Sequence, residues 1–188
     1  MNTEITTPVL LFPTEGYIFD THTDFQNEFI QRVTDNGTAD ALTWLEGVKN
    51  NTELSYPATL KFEWESDGSE TYIFELSKHE DFSDSYKKEC DDTSCEIYNL
   101  EIGEKYYWRV NGGKANSFFT EDNVFRFIKI DGALNVRDIG GNAIKQGLVY
   151  RGSDIMTNFP LTEEGKHQFG DVLGIKTELE LRTESPNT

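Results

Sequence analysis

Apolar and charged side chains alternate near the middle of the chain, where Leu60, Phe62 and Trp64 are separated by a lysine and a glutamate. A period of two places the apolar side chains on one face of a strand and the charged ones on the other. A turn-forming stretch at residues 66–69 leads to a second alternating segment at 71–76. The pattern predicts two half-buried strands, which we expect to form a hairpin.

Further short strands are predicted downstream, at residues 97–100, 106–110 and 124–128, with Gly103 at the turn between the first two. Short strands separated by turn signals at this spacing are typical of antiparallel sandwiches and not of strand-helix-strand units. We therefore expect a mainly β domain over residues 1–128.

Residues 24–50 have a different period. Apolar side chains recur at helical spacing in two runs, one after Thr23 and one after Thr38, and both threonines can begin a helix. We predict an inserted helical hairpin that turns at Gly37 and ends near residue 50. We expect its apolar stripe to pack on the sandwich rather than to hold a ligand; the stripe is Phe25, Phe29, Ile30, Val33, Ala41, Leu42, Trp44, Leu45 and Val48.

Residues 57–128 resemble a fibronectin type III module of the bacterial kind. The residues that carry the resemblance are Trp64 and Tyr72 on successive strands and the motif Leu100-x-x-Gly103-x-x-Tyr106. The resemblance implies that Leu100 packs in the core and that the Tyr106 hydroxyl bonds to the backbone near the turn. Another antiparallel β domain with an aromatic core is the alternative.

The pattern changes from residue 131 onward. Two short strands are predicted first, then a helix that begins near Thr162 and closes at Gly174, and then another strand at 175–182. This order is typical of the start of a mixed α/β domain, which we assign to residues 129–188.

Four sequence elements follow one another in this second part: N-x-R-D-x-G-G, then Y-R, then L-T-x-x-G, then L-G-I with a strand that ends in L-R. Over residues 131–183 the chain resembles the beginning of the bacterial tyrosine-phosphatase family, which includes tyrosine and lipid phosphatases. The catalytic loop of that family, H-C-x-x-G-x-x-R, lies further downstream, and no H-C dipeptide occurs in these 188 residues. We therefore expect a phosphatase fragment that is inactive alone. An incomplete α/β domain exposes sheet edges, so dimerisation or strand exchange is a further expectation.

The resemblance also implies substrate-binding positions. They lie close to the phosphate site of the complete enzyme and are Asn135, Arg137, Asp138, Arg151 and Arg182. Their charges suit an oxyanion, but Arg137 and Asp138 could instead pair with each other or with strand ends. Gly140-Gly141 is expected to permit a tight turn rather than to cradle phosphate.

The formal net charge is −17, and residues 1–128 hold 25 acidic and 10 basic side chains. So negative a surface repels nucleic acids and anionic lipids, so we expect neither as a partner. No apolar run approaches the length of a membrane span. The N-terminus lacks the features of a signal peptide, and we leave the compartment open, with an extracellular or cell-surface location favoured over the cytoplasm.

The two cysteines, Cys90 and Cys95, are separated by four residues, a spacing that suits either a disulfide across a tight hairpin or two free thiols. Acidic neighbours raise a thiol pKa, so neither is expected to act as a nucleophile. Together with three scattered histidines they form no zinc pattern, and we predict no metal or cofactor.

Two functional hypotheses follow. In the first, the chain belongs to a phosphatase that acts on a phosphorylated protein or a phosphoinositide, and the acidic sandwich is an accessory module. In the second, the chain is a non-catalytic secreted or surface module that binds a protein or glycan through exposed aromatic residues such as Tyr17, Tyr56 and Tyr86.

Overall fold

The computed structural model describes residues 7–47, 55–123, 125–141, 143–153, 155, 160–179 and 181. The protein is mainly β. The strands are β1 (Leu10–Phe12), β2 (Tyr17–Phe19), β3 (Leu60–Trp64), β4 (Tyr72–Ser77), β5 (Ser85–Cys90), β6 (Ser94–Ile97), β7 (Lys105–Val110), β8 (Asn116–Thr120), β9 (Arg126–Ile128), β10 (Val136–Asp138) and β11 (Tyr150–Arg151). The helices are α1 (Asp24–Asn36), α2 (Thr38–Glu46) and α3 (Glu163–His167), and a π-helical turn at Gln168–Val172 continues α3.

Two sheets face each other across the main core. One has the strand order β1-β3-β6 and the other has the order β2-β8-β7-β4-β5. Phe62 of the smaller sheet lies at the centre, and its ring contacts three rings of the larger sheet, those of Phe74 at 4.8 Å, Trp108 at 5.1 Å and Phe118 at 5.6 Å between centroids. The predicted inward face of β3 is confirmed, because Leu60, Phe62 and Trp64 are all buried.

The predicted hairpin between residues 60–64 and 71–76 is wrong. β3 pairs with β1 and β6, whereas β4 pairs with β5 and β7 in the other sheet. Alternation shows which face of a strand is buried, but two strands that face the same core from opposite sides have the same pattern as two neighbours. The pattern therefore could not identify the partner.

β1, β2, β5 and β8 were not predicted, and the strand expected at 97–100 lies earlier, as β6. β5 and β8 were missed for opposite reasons. β5 lies at the edge of its sheet and has little apolar alternation, since four of its six residues are exposed. β8 has two consecutive phenylalanines, Phe118 and Phe119, of which only the first is buried. The predicted strand at 124–128 exists as β9, but it pairs with β10 in a third sheet and does not close the first two. This sheet spans the boundary predicted at residue 128.

The Tyr106 hydroxyl accepts a hydrogen bond of 2.9 Å from the backbone N–H of Glu101, and Leu100 is buried beside it. Both expectations for this corner are confirmed. Burial raises the pKa of Tyr106 to about 12, so the hydroxyl keeps its proton at neutral pH.

The helical hairpin is confirmed as α1 and α2. Thr23 begins α1 through a capping box with Gln26, and Gly37, with φ of 86°, separates the helices. Phe25 of α1 stacks on Trp44 of α2 with ring centroids 4.4 Å apart. The end predicted near residue 50 lies outside the described residues.

The third sheet has the order β11-β10-β9 and covers a second, smaller core that contains Ile128, Ile130 and Val136. α3 begins at its predicted Thr162 cap and packs against the turn before β10. A Cβ at Gly165 would lie 1.9 Å from the carbonyl oxygen of Asp131, so this approach requires glycine. The strand predicted at 175–182 is absent from the described positions of that range, 175–179 and 181.

Glu75 is a buried carboxylate on the outer face of the five-stranded sheet. The register places Lys87 and Arg109 on its two sides, and their nitrogens lie 2.8 and 2.6 Å from its oxygens. The hydrogen bond from Arg109 is the largest cause that lowers the pKa of Glu75, and the contact with Lys87 acts in the same direction. Three strands are therefore linked through one carboxylate.

We expect Glu75→Gln to lower the free energy of unfolding by roughly 1–3 kcal/mol at neutral pH, because hydrogen bonds to a charged group are lost. A lowered folded pKa contributes its full stability above the ordinary value of 4.5 and loses it as the pH falls through the lowered value. Urea denaturation at a series of pH values should therefore show that the free energy of unfolding of the variant approaches that of the wild type as the pH becomes acidic. Glu89→Gln, an exposed change on β5, is the control. If Glu75→Gln remained less stable than the wild type at acid pH, the stabilising role assigned to the ionised Glu75 carboxylate would be contradicted.

Candidate functional site

The two faces of β10 have different surroundings. Arg137 shares one face with its cross-strand neighbours Phe127 and Arg151, while Asp138 lies opposite Arg126 on the other face. The alternative in which Arg137 and Asp138 pair with each other is wrong, because consecutive residues of a strand point to opposite sides. Its second form, pairing with strand ends, holds for Asp138, whose partners lie at the start of β9 and in the loop that follows β10.

Asp138 is fully buried and its oxygens are occupied. Arg126 Nη1 lies 2.9 Å from Oδ2, Gly147 N–H donates to Oδ2 at 2.6 Å, and Gly140 N–H donates to Oδ1 at 2.8 Å. The carboxylate thus closes the loop after β10 and does not reach solvent. A Cβ at Gly140 would lie 2.6 Å from Cα of Gln146, which confirms the tight turn expected there.

Arg126 joins this carboxylate to the first two sheets. Its Nε donates to the carbonyl of Leu100 at 2.9 Å, and its Nη2 donates to the carbonyl of Asn99. Arg126 was not among the residues predicted from the sequence. Its position two residues before the buried Ile128, and hence on the same apolar face of the strand, was the available signal for a buried partner.

Arg137 is half-buried, and its guanidinium carbon lies 5.8 Å from the ring centroids of Phe125 and Phe127. Its Nε is buried without a hydrogen bond, and within the described part of the chain neither Arg137 nor Arg151 forms an ion pair. Burial, and then the charge of Arg151, lower the pKa of Arg137. Like charges directly opposite each other destabilise a sheet. An anion placed between these two arginines would therefore relieve the repulsion between their guanidinium groups.

An open cleft of about 500 Å³ lies between the helical hairpin and this face of the third sheet. One wall consists of apolar residues of α1 and α2, and the opposite side includes Phe127, Leu134, Asn135 and Arg137. Asn135 is exposed and has φ of 55°, in the left-handed region that asparagine tolerates. Five residues of the stripe, Phe25, Phe29, Ile30, Leu42 and Leu45, therefore face a cleft, and for them the expectation of packing on the two facing sheets is wrong.

The positions predicted from the resemblance are thus divided. Asn135 and Arg137 line the cleft, Arg151 is exposed beside Arg137, and Asp138 lies on the opposite, buried face. Arg182 lies outside the described residues. Three of the five predicted positions, Asn135, Arg137 and Arg151, therefore lie on one side of the third sheet.

The two cysteines are free and buried in the main core. Burial is the largest cause that raises the pKa of Cys95 to about 12, and the neighbouring Cys90 adds to it. A thiol with so high a pKa holds its proton and is a poor nucleophile.

Two tyrosines of the interaction-module hypothesis, Tyr17 and Tyr86, do not share one surface. Tyr17 lies on β2 and Tyr86 on β5, the two opposite edges of the five-stranded sheet, which puts them roughly 19 Å apart at the usual strand spacing. Tyr86 is 53% exposed, whereas Tyr17 packs against Phe12.

The described residues hold no group of three His, Cys, Asp or Glu side chains placed to bind a metal ion. None of the helices in this part of the chain has the length and apolar character that a bilayer crossing requires. No model of a known protein family matches the chain, and no curated protein is significantly similar to it. The arginine pair and its cleft must therefore be interpreted from their own geometry.

Proposed function

We propose that residues 131–181 are the N-terminal part of a cysteine-dependent phosphatase and that Arg137 and Arg151 contribute to its binding of phosphoryl oxygens. The observation that carries this proposal is the cross-strand pair of arginines without an acidic partner among the described residues. Arginine binds phosphate through several parallel N–H donors, so a juxtaposed pair suits a phosphomonoester dianion. The ordered motifs of this segment support the same class of enzyme.

The nucleophile of such an enzyme has to come from outside residues 1–188. Cys90 and Cys95 lie in the main core, away from the third sheet, and the thiol of Cys95 is held protonated. The chain therefore supplies arginines that position the substrate, and the thiolate and its phosphate-binding loop belong to another stretch of polypeptide. We propose a phosphorylated protein or a phosphoinositide as the substrate.

We further propose that the two facing sheets form a fibronectin type III-like accessory module. Three observations support this: the strand order of the sheets, the aromatic core centred on Phe62 and Trp108, and the Tyr106 hydroxyl bonded to the Glu101 backbone. The buried link from Arg126 to Asp138 then fixes the module to the phosphatase-like segment.

Hydrolysis of para-nitrophenyl phosphate tests the catalytic proposal. We expect no turnover by the 188-residue chain and measurable turnover by a longer polypeptide that contains the downstream H-C loop. In that longer polypeptide Arg137→Met should lower kcat/KM by roughly 100-fold, since preorganised charge on the phosphoryl oxygens is lost. Lys114→Met, which removes an exposed charge between β7 and β8, is the matched control and should leave the rate unchanged. An inactive longer polypeptide would contradict the proposal.

A further inference from the structure

We propose that the cleft between the helical hairpin and the third sheet binds a small amphipathic anion, with its apolar body against α1 and α2 and its oxyanion head on Arg137. This inference goes beyond the proposed function, because it requires neither a thiolate nor hydrolysis. It rests on three features of the cleft: an apolar wall, a cationic side chain without an acidic partner among the described residues, and a volume that suits a small molecule.

The apolar wall is built from the stripe of the hairpin. Phe25, Phe29 and Ile30 of α1 and Leu42 and Leu45 of α2 line one side of the cleft. Leu42 is 51% exposed although it faces this concave surface. Contiguous apolar side chains that remain open to water are costly to solvate and are typical of binding sites.

The hairpin keeps this wall in shape without a ligand. The stack of Phe25 on Trp44 joins the two helices, and the guanidinium of Arg32 covers the Trp44 ring at 4.8 Å. Arg32 also pairs with Glu28 at 2.8 Å, so its charge is compensated within the hairpin. Of these two arginines, Arg137 is therefore the one that offers the cleft an uncompensated charge.

The cationic side of the cleft determines which ligand fits. Arg137 lines the cleft and keeps a buried Nε–H without an acceptor, and Arg151 on the adjacent strand adds a second positive charge. The Nε itself is closed to solvent, but the half-buried guanidinium that carries it has no acidic partner among the described residues, and an oxyanion in the cleft would neutralise that charge. The chain carries a net charge of −17, so this pair is a positive site on an otherwise negative protein.

The size of the cleft sets the class of ligand. About 500 Å³ lies within the range of sites that bind small molecules, roughly 300–1,000 Å³. Inorganic phosphate would leave the apolar wall exposed, and an uncharged hydrocarbon would leave the Arg137 charge without a counter-charge. A molecule with an apolar body and an oxyanion head would cover the apolar wall and also bind Arg137.

Decanoate, decanol and inorganic phosphate provide a matched set of probes for isothermal titration calorimetry on the whole chain. We expect saturable binding of decanoate and weaker binding of the other two. Arg137→Met keeps much of the side-chain volume and removes the charge, and it should weaken decanoate binding by roughly 10- to 100-fold. It should leave decanol binding unchanged, which also shows that the cleft remains folded.

Leu45→Ser should weaken decanoate and decanol alike, whereas Lys114→Met should affect neither. Decanoate binding that survives Arg137→Met unchanged would overturn the inference, and so would decanol binding as tightly as decanoate or no binding of decanoate at all. Phosphate binding as tight as that of decanoate would also overturn it, but would leave the phosphatase proposal intact. Conversely, if a longer polypeptide had no phosphatase activity, the phosphatase proposal would fail, but the inference that the cleft binds decanoate would be unaffected.

Discussion

Replacement of Asp138 by alanine is expected to lower the free energy of unfolding by about 3–5 kcal/mol, because it leaves the Arg126 guanidinium buried without a counter-charge. The same change removes the acceptor of the Gly140 and Gly147 N–H groups. Breaking one side of a buried pair is far more costly than losing an exposed pair. Urea denaturation at neutral pH measures the difference directly.

Asp171→Ala is the matched control, since the Asp171 side chain is 76% exposed and its contact with His167 lies at the surface. It should change stability by no more than about 0.5 kcal/mol. Hydrogen exchange of Asp138→Ala should show protection lost first in β9, β10 and β11 and retained in the two facing sheets. A loss below about 1 kcal/mol, or uniform loss of protection, would show that the pair does not hold the third sheet in place.

Phe118→Ala is expected to lower the free energy of unfolding by about 3–5 kcal/mol through the cavity that it leaves. The Phe118 ring is fully buried, stacks on Tyr106 at 5.5 Å and meets Phe62 edge-on. It therefore supports both sheets at once. Thermal and urea unfolding of the variant measure the effect.

The adjacent residue supplies the control for this prediction. Phe119 is 42% exposed on the outer face of the same strand, so Phe119→Ala removes the same atoms without opening a core cavity. We expect it to cost less than about 1 kcal/mol. Equal losses for the two variants would mean that the register of β8 differs from that described.

Local sequence patterns were sufficient for the features that depend on one segment. The alternation around Phe62 identified the buried face of β3, the Thr23 cap and Gly37 defined the hairpin, and the Tyr106 motif identified a hydroxyl that bonds back to the chain. In each case the physical cause acts over a few residues, so the sequence contains it in full.

Features that depend on distant segments were not predictable. The pairing of β3 with β6 rather than β4 depends on which side of the core each strand occupies. The polar edge strand β5 is stabilised by its neighbour and not by its own apolar residues. The sequence can indicate a strand face, but it does not show which other strand completes the sheet.

Only part of the candidate site was predictable, because the cleft depends on segments that are distant in the sequence. The motif pointed to Arg137 and Arg151, and β10 and β11 do bring them together. The cleft was not foreseen, because it needs the hairpin at residues 24–46 to stand away from the facing sheets and opposite a strand about one hundred residues later. Asp138 was assigned to substrate binding from the resemblance, and the spacing of Arg126 from Ile128, which indicates a buried arginine, does not show that Asp138 is its partner.

The parallel pairing of β2 with β8 has a consequence for biosynthesis. Glu15 and Ser117, whose side chains meet beside this pair of strands, are 102 residues apart. At ordinary rates of translation, β2 emerges roughly 5–20 s before the strand that it joins. An edge strand that is made early and pairs late stays available to chaperones during that time. Slowing translation after residue 19 would lengthen that exposure, whereas moving the β2 segment behind β8 by circular permutation would abolish it.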